Sequence, residues 1–316
     1  MKVLITGVTS FVGYHLAAGF RAEGHEVIGA VSRPGMLEGI RGERTRRLAA
    51  AGVPLEPLDL TRPEEIADRA RTVQPDLWIQ HAGYTKNYAG ADYDLTAGHA
   101  LNVAPLGPIF AAMVELGGAV IVTGTVSEYA DGDAPHTEDE ACLPSTPYGL
   151  SKLTETLFAR QLALRTGVPT RVARLFLPFG PLEAPEKLLP SVAAALRDGR
   201  EVALSPCLQR RDVLPVEDVV ALYLALADDL PRTTFDLFNV CSGEAPALRD
   251  VVLAIADTLG ADPTLCRFGA RPMRPGEPDI IVGSTHKARQ LLGWSPTPWR
   301  EAVETWVRSE STSATT

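Results

Sequence analysis

The chain has 316 residues, of which 45% are hydrophobic and 22% charged, and its formal net charge is −9. This length and composition predict a large buried core in one large domain or two closely joined domains, and they exclude a disordered or fibrous protein. The acidic balance also argues against a general binder of nucleic acids or anionic membranes, which would need a basic surface.

The N-terminus predicts a strand, a tight turn and a helix. An apolar run is followed by glycine-punctuated sequence and then by apolar residues at helical spacing, namely Val12, Leu16 and Phe20. Gly7 would form the turn, Gly13 would let helix and strand pack closely, and the first amides of the helix would hold a pyrophosphate. Ser10 replaces the middle glycine of the usual dinucleotide fingerprint, so an ordinary strand-to-helix turn stays open as the alternative.

Strand-like segments then alternate with helix-like stretches. The strand-like segments are Lys2–Thr6, Glu26–Val31, Leu55–Asp59, Leu77–His81, Val120–Thr123 and Arg171–Leu175. The alternation predicts an α/β fold, a Rossmann-type doubly wound parallel sheet with right-handed crossovers. Ligands of such sheets bind beyond the carboxyl ends of the strands, where Gly7, Asp59, His81 and Thr125 fall.

Tyr148 and Lys152 form the most informative pair in the chain. Their spacing of four residues places a phenol and an ammonium on one helix face. A tyrosine titrates near pH ~10, and a fixed cation nearby favours the phenolate, so we expect a shifted acid/base unit. Thr146 is the predicted helix cap and Pro147 the first-turn residue. We expect four leucines to mark the buried stripe of this helix, namely Leu150, Leu153, Leu157 and Leu162.

The order of motifs resembles the extended short-chain dehydrogenase/reductase superfamily, in particular its nucleotide-sugar epimerase, dehydratase and reductase branch. The resemblance covers nearly the whole chain. Its motifs are Thr6-Gly7 with Phe11 and Gly13, Asp59-Leu60, His81-Ala82-Gly83, Asn102, Thr123-Gly124-Thr125, Tyr148 with Lys152, Arg211–Asp218, Asn239–Glu244, Arg274–Pro278 and Leu292–Pro296.

This resemblance implies a nucleotide-binding domain with a smaller C-terminal substrate-binding lobe. We expect residues 1–175 to form the Rossmann domain, with a segment near 213–242 that returns to its sheet. Residues 176–212 and 243–308 would form the substrate lobe, and 309–316, small, polar and aperiodic, would be a flexible tail.

The resemblance also implies which residues contact the cofactor. They are Gly7, Thr9, Ser10, Phe11, Val12, Gly13, Ser32, Arg33, Asp59, Leu60, His81, Ala82, Gly83, Asn102, Thr123, Tyr148, Lys152 and Leu175. Some have other interpretations. Asp59 could instead cap the next helix. His81 is expected to be a structural residue at a strand end rather than a catalytic base, and Asn102 to hold helix and strand together by hydrogen bonds.

Cofactor choice depends on the end of the second strand. Members that select NAD place an acid there, which accepts from the ribose hydroxyl and repels a 2′-phosphate. This chain has Val31, followed by Ser32 and Arg33, which can donate to a phosphate. We therefore expect NADP, with NAD as the alternative if Arg33 lies on a solvated loop.

The catalytic residues implied are Thr125, Tyr148 and Lys152: Tyr148 exchanges a proton with the substrate oxygen, Thr125 orients that oxygen, and Lys152 holds the cofactor ribose. A strand-end hydroxyl that satisfies backbone groups is the alternative for Thr125. The substrate-binding residues implied are Thr125, Ser127, Phe176, Leu177, Arg211 and Arg274. Phe176 could instead pack in the core, and the two arginines could form surface ion pairs instead of binding a phosphate. Leu177 stands where relatives commonly carry an Asn that donates to the sugar nucleotide.

The leading functional hypothesis is an NADP-dependent reductase of a nucleotide-activated keto-deoxy sugar. Dehydratases of the family need an additional acid and base, commonly an Asp-Glu or Ser-Glu pair directly after the catalytic Thr. This chain has Val126 and Ser127 at those positions, with Glu128 one place later. A nucleotide-sugar epimerase is the first alternative. A 4,6-dehydratase and a catalytically silent dinucleotide-binding protein follow.

Further expectations concern location and assembly. Four cysteines without a CxxC pair indicate reduced thiols rather than disulfides or a metal site. The first residues already belong to a strand, which leaves no room for a signal peptide, and we expect no apolar run long enough to cross a bilayer, hence a soluble cytoplasmic protein. The resemblance implies a homodimer, for which Ala111, Ala112, Leu153 and Leu157 would suit helix packing.

Overall fold

The computed structural model describes residues 1–313 except 33, 34, 36, 133 and 275, with side chains described as far as residue 310. The strands in chain order are β1 (Lys2–Thr6), β2 (Glu26–Val31), β3 (Leu55–Pro57), β4 (Leu77–Gln80), β5 (Ala119–Thr125), β6 (Thr170–Leu175), β7 (Leu177–Phe179), β8 (Val202–Leu204), β9 (Arg210–Arg211), β10 (Val213–Pro215), β11 (Phe235–Val240), β12 (Cys266–Phe268) and β13 (Ile280–Ile281).

The helices in chain order are α1 (Phe11–Ala22), α2 (Gly39–Ala50), α3 (Pro63–Val73), α4 (Leu95–Gly98), α5 (Leu106–Leu116), α6 (Pro147–Thr166), α7 (Leu188–Arg197), α8 (Val216–Asp229), α9 (Leu248–Leu259), α10 (His286–Leu292) and α11 (Trp299–Ser313). A π-helical turn, His99–Val103, follows α4, and a 3₁₀ turn, Val126–Glu128, follows β5.

A central sheet of seven strands has the order β3-β2-β1-β4-β5-β6-β11. Each neighbouring pair is parallel, as the near-continuous apolar runs in the strands require. The predicted Rossmann-type α/β fold is confirmed. The six predicted strands are present, and their ends differ from the predicted ones by at most two residues.

Helices cover both faces of this sheet. Alternate strand residues point to opposite faces, so Ile5 joins a cluster containing Leu16 of α1 and Leu222 of α8. Its neighbour Leu4 joins a second cluster with Phe110 of α5 and Leu162 of α6. The two clusters form the core on either side of the sheet.

A third apolar cluster lies in the C-terminal part of the chain. It joins α7, α9 and α11 through residues such as Val192, Val252 and Trp306. Strand β11 returns to the large sheet beside β6, while β7 pairs with β10. The proposed division into a nucleotide lobe and a substrate lobe stays a prediction. Helix α11 continues to Ser313, past the predicted start of the tail at 309, because buried Val303, Trp306 and Val307 anchor it.

The leucine stripe predicted for α6 is largely wrong. Leu150 and Leu157 are 46% and 56% exposed, Leu153 is partly buried, and only Leu162 belongs to the core. The buried face consists mainly of small and polar residues, namely Gly149, Ser151, Lys152, Glu155, Thr156, Ala159, Leu162 and Ala163. The helix thus packs its small and polar face, rather than its leucines, against the rest of the protein.

The expectation about membrane-spanning length also needs correction. Among the described residues, the stretch Leu95–Leu116 is long and apolar enough to cross a membrane by length and composition alone. Half of its most apolar window is buried inside the protein, which is also typical of the core helix of a soluble protein.

Candidate active site

The glycine turn after β1 has the shape that its sequence predicts. Gly7 adopts φ +74°, a conformation that favours glycine, and a Cβ there would lie 2.9 Å from the Ala82 Cα. A Cβ at Gly13 would lie 2.2 Å from the Gly7 carbonyl oxygen. Both glycines therefore permit backbone approaches that a side chain would block.

Ser10 fills the place of the missing middle glycine by capping α1. Its Oγ accepts a hydrogen bond from the Gly13 amide at 3.0 Å and lies 3.0 Å from His81 Nε2. This cap leaves the amides of Phe11 and Val12 in the first turn directed away from the helix, where the positive end of the helix dipole favours an anion.

These groups open onto a cavity of about 440 Å³ at the carboxyl ends of the central strands. Fifteen predicted site residues line it: Gly7, Thr9, Ser10, Ser32, Asp59, Leu60, His81, Ala82, Gly83, Thr123, Thr125, Tyr148, Lys152, Leu175 and Phe176. Sequence reasoning did not assign the lining residues Thr6, Ala30, Val31, Arg41, Leu58, Thr85, Leu101 and Gly124 to the site. The cavity thus joins the glycine turn to the Tyr-Lys pair.

At the end of the cavity remote from Tyr148, the residues that directly follow β2 in the sequence are not acidic. Val31 and Ser32 line this end, together with Arg41 from the first turn of α2. Asp59 also lines this end, and its carboxylate accepts from the amide and hydroxyl of Thr61 at 2.9 and 2.7 Å. Asp59 thus holds the turn before α3 but does not cap that helix, whose N-cap residue Arg62 makes no side-chain cap hydrogen bond. Arg33 lies outside the described residues, so its predicted phosphate contact stays a prediction.

Local sequence places Tyr148 at the start of α6. Thr146 Oγ1 accepts from the Gly149 amide at 3.0 Å, and Pro147 occupies the first turn. A Cβ at Gly149 would lie 2.0 Å from the Ser127 carbonyl oxygen. The glycine directly after Tyr148 therefore lets the helix start press against the turn that follows Thr125.

Lys152 is held by two buried acceptors. Its Nζ donates to the Thr123 carbonyl oxygen at 2.7 Å and to Glu155 Oε2, and Glu155 is 1% exposed. The sequence analysis did not identify Glu155, although its spacing of seven residues from Tyr148 and three from Lys152 places it on the same helix face.

The effect of Lys152 on Tyr148 differs from the expectation. Burial raises the pKa of Tyr148 above its usual value, and Lys152 lowers it by less than burial raises it. Glu155 adds to the rise. The edges of two further rings, Tyr93 and Tyr88, meet the Tyr148 ring at centroid distances of 5.7 and 5.8 Å. In this state the phenol keeps its proton at neutral pH and can serve as a proton donor.

Glu128 is turned away from the cavity. Its Oε1 accepts from the Thr125 amide at 2.8 Å and its Oε2 from Arg174 Nε at 2.9 Å, with the Glu128 residue 0% exposed. Thr125 lines the cavity beside Tyr148. This buried ion pair fixes the turn that carries Thr125, and the sequence analysis did not predict it.

His81 and Asn102 brace the site. His81 Nδ1 lies 3.0 Å from Thr123 Oγ1, and burial followed by the charge of Lys152 lowers the pKa of His81 to about 4. A neutral ring with hydrogen bonds on both nitrogens suits the structural role favoured above. Asn102 accepts from the Tyr84 amide and donates to Ser151 Oγ, and it does not line the cavity. Its listing as a cofactor contact is thus replaced by the bracing role.

Other predicted residues do not line the cavity. They are Phe11, Val12, Gly13, Ser127, Leu177, Arg211 and Arg274. The first three act through the backbone or close packing of α1, Ser127 donates its amide to Thr125 Oγ1, and Leu177 belongs to β7. Arg211 does not point to an open phosphate site, because it is 3% exposed and donates to Glu277 Oε1 at 2.8 Å. Arg274 is exposed.

The described residues fit a nicotinamide dinucleotide. The two glycines form a cradle that a Cβ would fill, the start of α1 offers free amides, and the cavity leads from there to Tyr148 and Lys152. Among the described part of the chain, no group of three or more metal-ligating side chains is found.

Comparison with known proteins agrees with this geometry. The chain is 25% identical over 309 residues to a GDP-6-deoxy-D-mannose reductase of Pseudomonas aeruginosa, covering 93% of this chain and 92% of the relative. It is 26% identical over 323 residues to a probable UDP-glucuronate 4-epimerase of Rhizobium meliloti, covering 94% and 92%. The solved structure of MoeE5 in complex with UDP-glucuronic acid and NAD superposes with a TM-score of 0.82 at 24% identity, over 99% of this chain and 100% of that one. Residues 3–241 match the model of the NAD dependent epimerase/dehydratase family, and the protein belongs to that family of nicotinamide-dependent enzymes.

Proposed function

We propose that this enzyme is an NADP-dependent ketoreductase that acts on a nucleotide-activated keto-deoxy sugar, and that it reduces the 4-keto group of an NDP-4-keto-6-deoxyhexose. The observation that carries this proposal is the composition of the cavity. Asp59, at the end remote from Tyr148, is the one carboxylic acid among the described residues that line it.

Dehydration needs an additional acid and base next to the reacting carbons. Val126 and Ser127 occupy the positions after Thr125, and the nearest carboxylate, Glu128, is committed to Arg174. The groups near Tyr148 can exchange one proton at one oxygen, which suffices for reduction of a ketone. The likeness to a GDP-6-deoxy-D-mannose reductase supports the same reaction class.

Bound nicotinamide would supply the hydride for such a reduction. The chain's own residues supply the proton and the orientation. The Tyr148 hydroxyl donates its proton to the substrate oxygen, Thr125 holds that oxygen by a hydrogen bond, and Lys152 stabilises the phenolate that is left. Phe176 lines the same part of the cavity and excludes water from it.

The preference for NADP rests on the other end of the cavity. A 2′-phosphate is anionic, and among the described residues at this end Arg41 is the one cation, while the Asp59 carboxylate accepts from Thr61. The guanidinium of Arg41 is exposed and suits phosphate oxygens. Arg41 adds a second candidate for this phosphate to Arg33, whose contact stays a prediction.

A panel of nucleotide-linked 4-keto-6-deoxy sugars, each offered with NADPH or NADH, tests the proposal. We expect loss of nicotinamide absorbance with at least one sugar, faster with NADPH, and loss of the activity in Tyr148→Phe with cofactor binding retained. Conversion of a 4-hydroxy nucleotide sugar, offered in a parallel assay, to its C4 isomer with constant absorbance would instead identify an epimerase. That alternative is kept because a 4-epimerase relative matches the chain at similar identity and coverage. Loss of water from a nucleotide sugar that still carries its 4- and 6-hydroxyl groups, giving the 4-keto-6-deoxy sugar, would refute the argument from Glu128.

We also propose a homodimer formed by α5 and α6. Leu150, Leu157 and Leu164 form an exposed stripe along α6, and Val114 of α5 is 50% exposed. Of the residues expected at this contact, Ala111 and Leu157 are exposed and Leu153 is partly so, but Ala112 belongs to the core. Light scattering on wild type and Leu157→Glu tests the dimer, which the variant should dissociate.

The four cysteines are free thiols, which supports a proposed cytoplasmic location. Fractionation of cells that express the tagged protein tests this, since recovery outside the cytoplasmic fraction would contradict it.

A further inference from the structure

Glu155 is an acid buried directly behind the catalytic pair. Tyr148, Lys152 and Glu155 follow one face of α6, so the acid lies on the side of Lys152 opposite to the phenol. Glu155 and Lys152 are 1% and 6% exposed. A carboxylate is rarely buried in this way without a partner, and here its partner is the catalytic ammonium.

The contacts of this pair are unequal. Glu155 Oε2 accepts from Lys152, whereas Glu155 Oε1 is buried without a hydrogen-bond partner among the described residues. Lys152 also donates to the Thr123 carbonyl oxygen. Two of the three N–H groups of the ammonium are therefore taken by Thr123 and Glu155, and one is left to donate to another acceptor.

We propose that Glu155 is a positioning residue that holds the Lys152 ammonium against the Thr123 carbonyl, offsets its charge, and thereby controls proton exchange at the Tyr148 oxygen. The proposal rests on the role of Tyr148 as proton donor in the reaction proposed above. It adds a group that determines at which pH Tyr148 holds the proton that it donates.

Among the described residues, no other charged group is placed to do this. His81 at the end of β4 is neutral at working pH, and Tyr223 of α8 lies 2.7 Å from Thr123 Oγ1 through its hydroxyl. Glu128 after β5 influences the same groups but is neutralised by Arg174 of β6. Tyr88 and Tyr93 contribute only uncharged ring edges. The remaining buried charge on this side is Glu155.

The sign of the effect follows from the charges. Burial raises the pKa of Glu155 to about 7 while Lys152 opposes the rise, so the acid is ionised at the alkaline pH where a phenol titrates. A negative Glu155 cancels part of the attraction between Lys152 and a phenolate. Removing that charge should let Tyr148 lose its proton at lower pH.

The test is an ultraviolet titration of the tyrosinate, read by rapid mixing before the protein unfolds. The spectrum of each protein minus that of its Tyr148→Phe counterpart isolates one phenol. We expect the midpoint in Glu155→Gln to lie about one pH unit below wild type, a tenfold weaker hold on the proton. Glu155→Asp keeps the charge and should restore most of the wild-type midpoint. Glu140→Gln, which removes a carboxylate bonded to His136 and not among the groups that shift the pKa of Tyr148, should leave it unchanged.

An unchanged or higher midpoint in Glu155→Gln would overturn the proposal, even if that variant were less stable, because a merely structural role does not move the phenol. If Glu155→Gln does not fold, the double variant Lys152→Gln/Glu155→Gln carries neither buried charge and replaces it. Since Glu155 is proposed to cancel only part of the attraction of Lys152, the double variant should titrate about one pH unit below Lys152→Gln, and an equal or higher midpoint would overturn the proposal. The titration needs no substrate, so a negative result would contradict the role of Glu155 without contradicting the reductase proposal. Absence of reduction in the sugar panel would likewise contradict the reductase proposal without contradicting the role of Glu155.

Discussion

Replacing Gly13 by alanine tests whether the turn after β1 holds a dinucleotide. The new Cβ would lie 2.2 Å from the Gly7 carbonyl oxygen, 2.8 Å from its carbon and 2.9 Å from Ser10 Oγ. Ordinary contacts of these atoms are longer by about 1 Å, so either α1 or the Gly7–Ser10 turn must move. Both the helix cap and the amides offered to the pyrophosphate belong to that region.

Overpacking of this kind costs about 1–3 kcal/mol. If the turn moves, the cost is seen as weaker binding, and at about 1.4 kcal/mol per factor of ten the dissociation constant for NADPH rises about 5- to 140-fold. If the turn does not move, the same free energy is lost from the stability of the cofactor-free protein. The sum of the two losses should therefore fall in this range.

The assay combines calorimetric titration with NADPH and urea unfolding without cofactor. Gly107→Ala is the matched control, because Gly107 also lies in a helix and a Cβ there would have no described atom within 4 Å. That substitution should leave NADPH binding unchanged and raise stability by up to about 1 kcal/mol, from the lower chain entropy of alanine. If Gly13→Ala behaves like Gly107→Ala in both measurements, the assignment of this turn as the dinucleotide cradle is wrong.

Three further predictions concern other parts of the site. Arg41→Ala should weaken NADPH binding about tenfold, because it removes a charge-assisted hydrogen bond, and should leave NADH binding unchanged. The control Arg46→Ala, on the same helix, should alter the binding of neither cofactor. Equal losses for both cofactors in fluorescence titrations of Arg41→Ala would contradict the 2′-phosphate assignment. Glu128→Gln should lower the free energy of unfolding by about 3–5 kcal/mol, because it leaves the Arg174 guanidinium buried without its counter-ion. Adding Arg174→Met to the same chain should recover part of this loss. A urea midpoint of Glu128→Gln like that of wild type would show that the ion pair does not stabilise the fold. Because the pKa of His81 is lowered to about 4 in the folded state, its contribution to stability is complete above its unfolded value of about 6.5 and is lost as pH falls toward 4. The cofactor-free protein should accordingly lose stability over this range, and His81→Gln should show a flatter profile in urea unfolding at several pH values.

The groups predicted correctly share one property, which is that short stretches of sequence determine them. The strands from β1 to β6 follow from apolar runs, the turn at Gly7 and Gly13 from glycine spacing, and the start of α6 from Thr146 and Pro147. Glu155 could have been found in the same way, since Tyr148, Lys152 and Glu155 follow a helical face.

The errors concern partners that are distant in sequence or the rotation of a helix. Arg211 was assigned to a phosphate, but the fold brings Glu277 to it from 66 residues away, and Arg174 reaches Glu128 across 46 residues. The leucines of α6 were placed inside because apolar residues usually are, yet the helix presents its polar catalytic face to the sheet and leaves Leu150 and Leu157 exposed.

The sequence by itself determined the class of the fold, the glycine turn after β1 and the placing of Tyr148 and Lys152 on one helix face, because backbone geometry and side-chain periodicity act over a few neighbouring residues. Only the tertiary structure decided which charges near that pair are free to act. Burial and the pairing of distant ions depend on how the whole chain packs, and in a low-dielectric interior they determine whether Tyr148 holds or releases its proton.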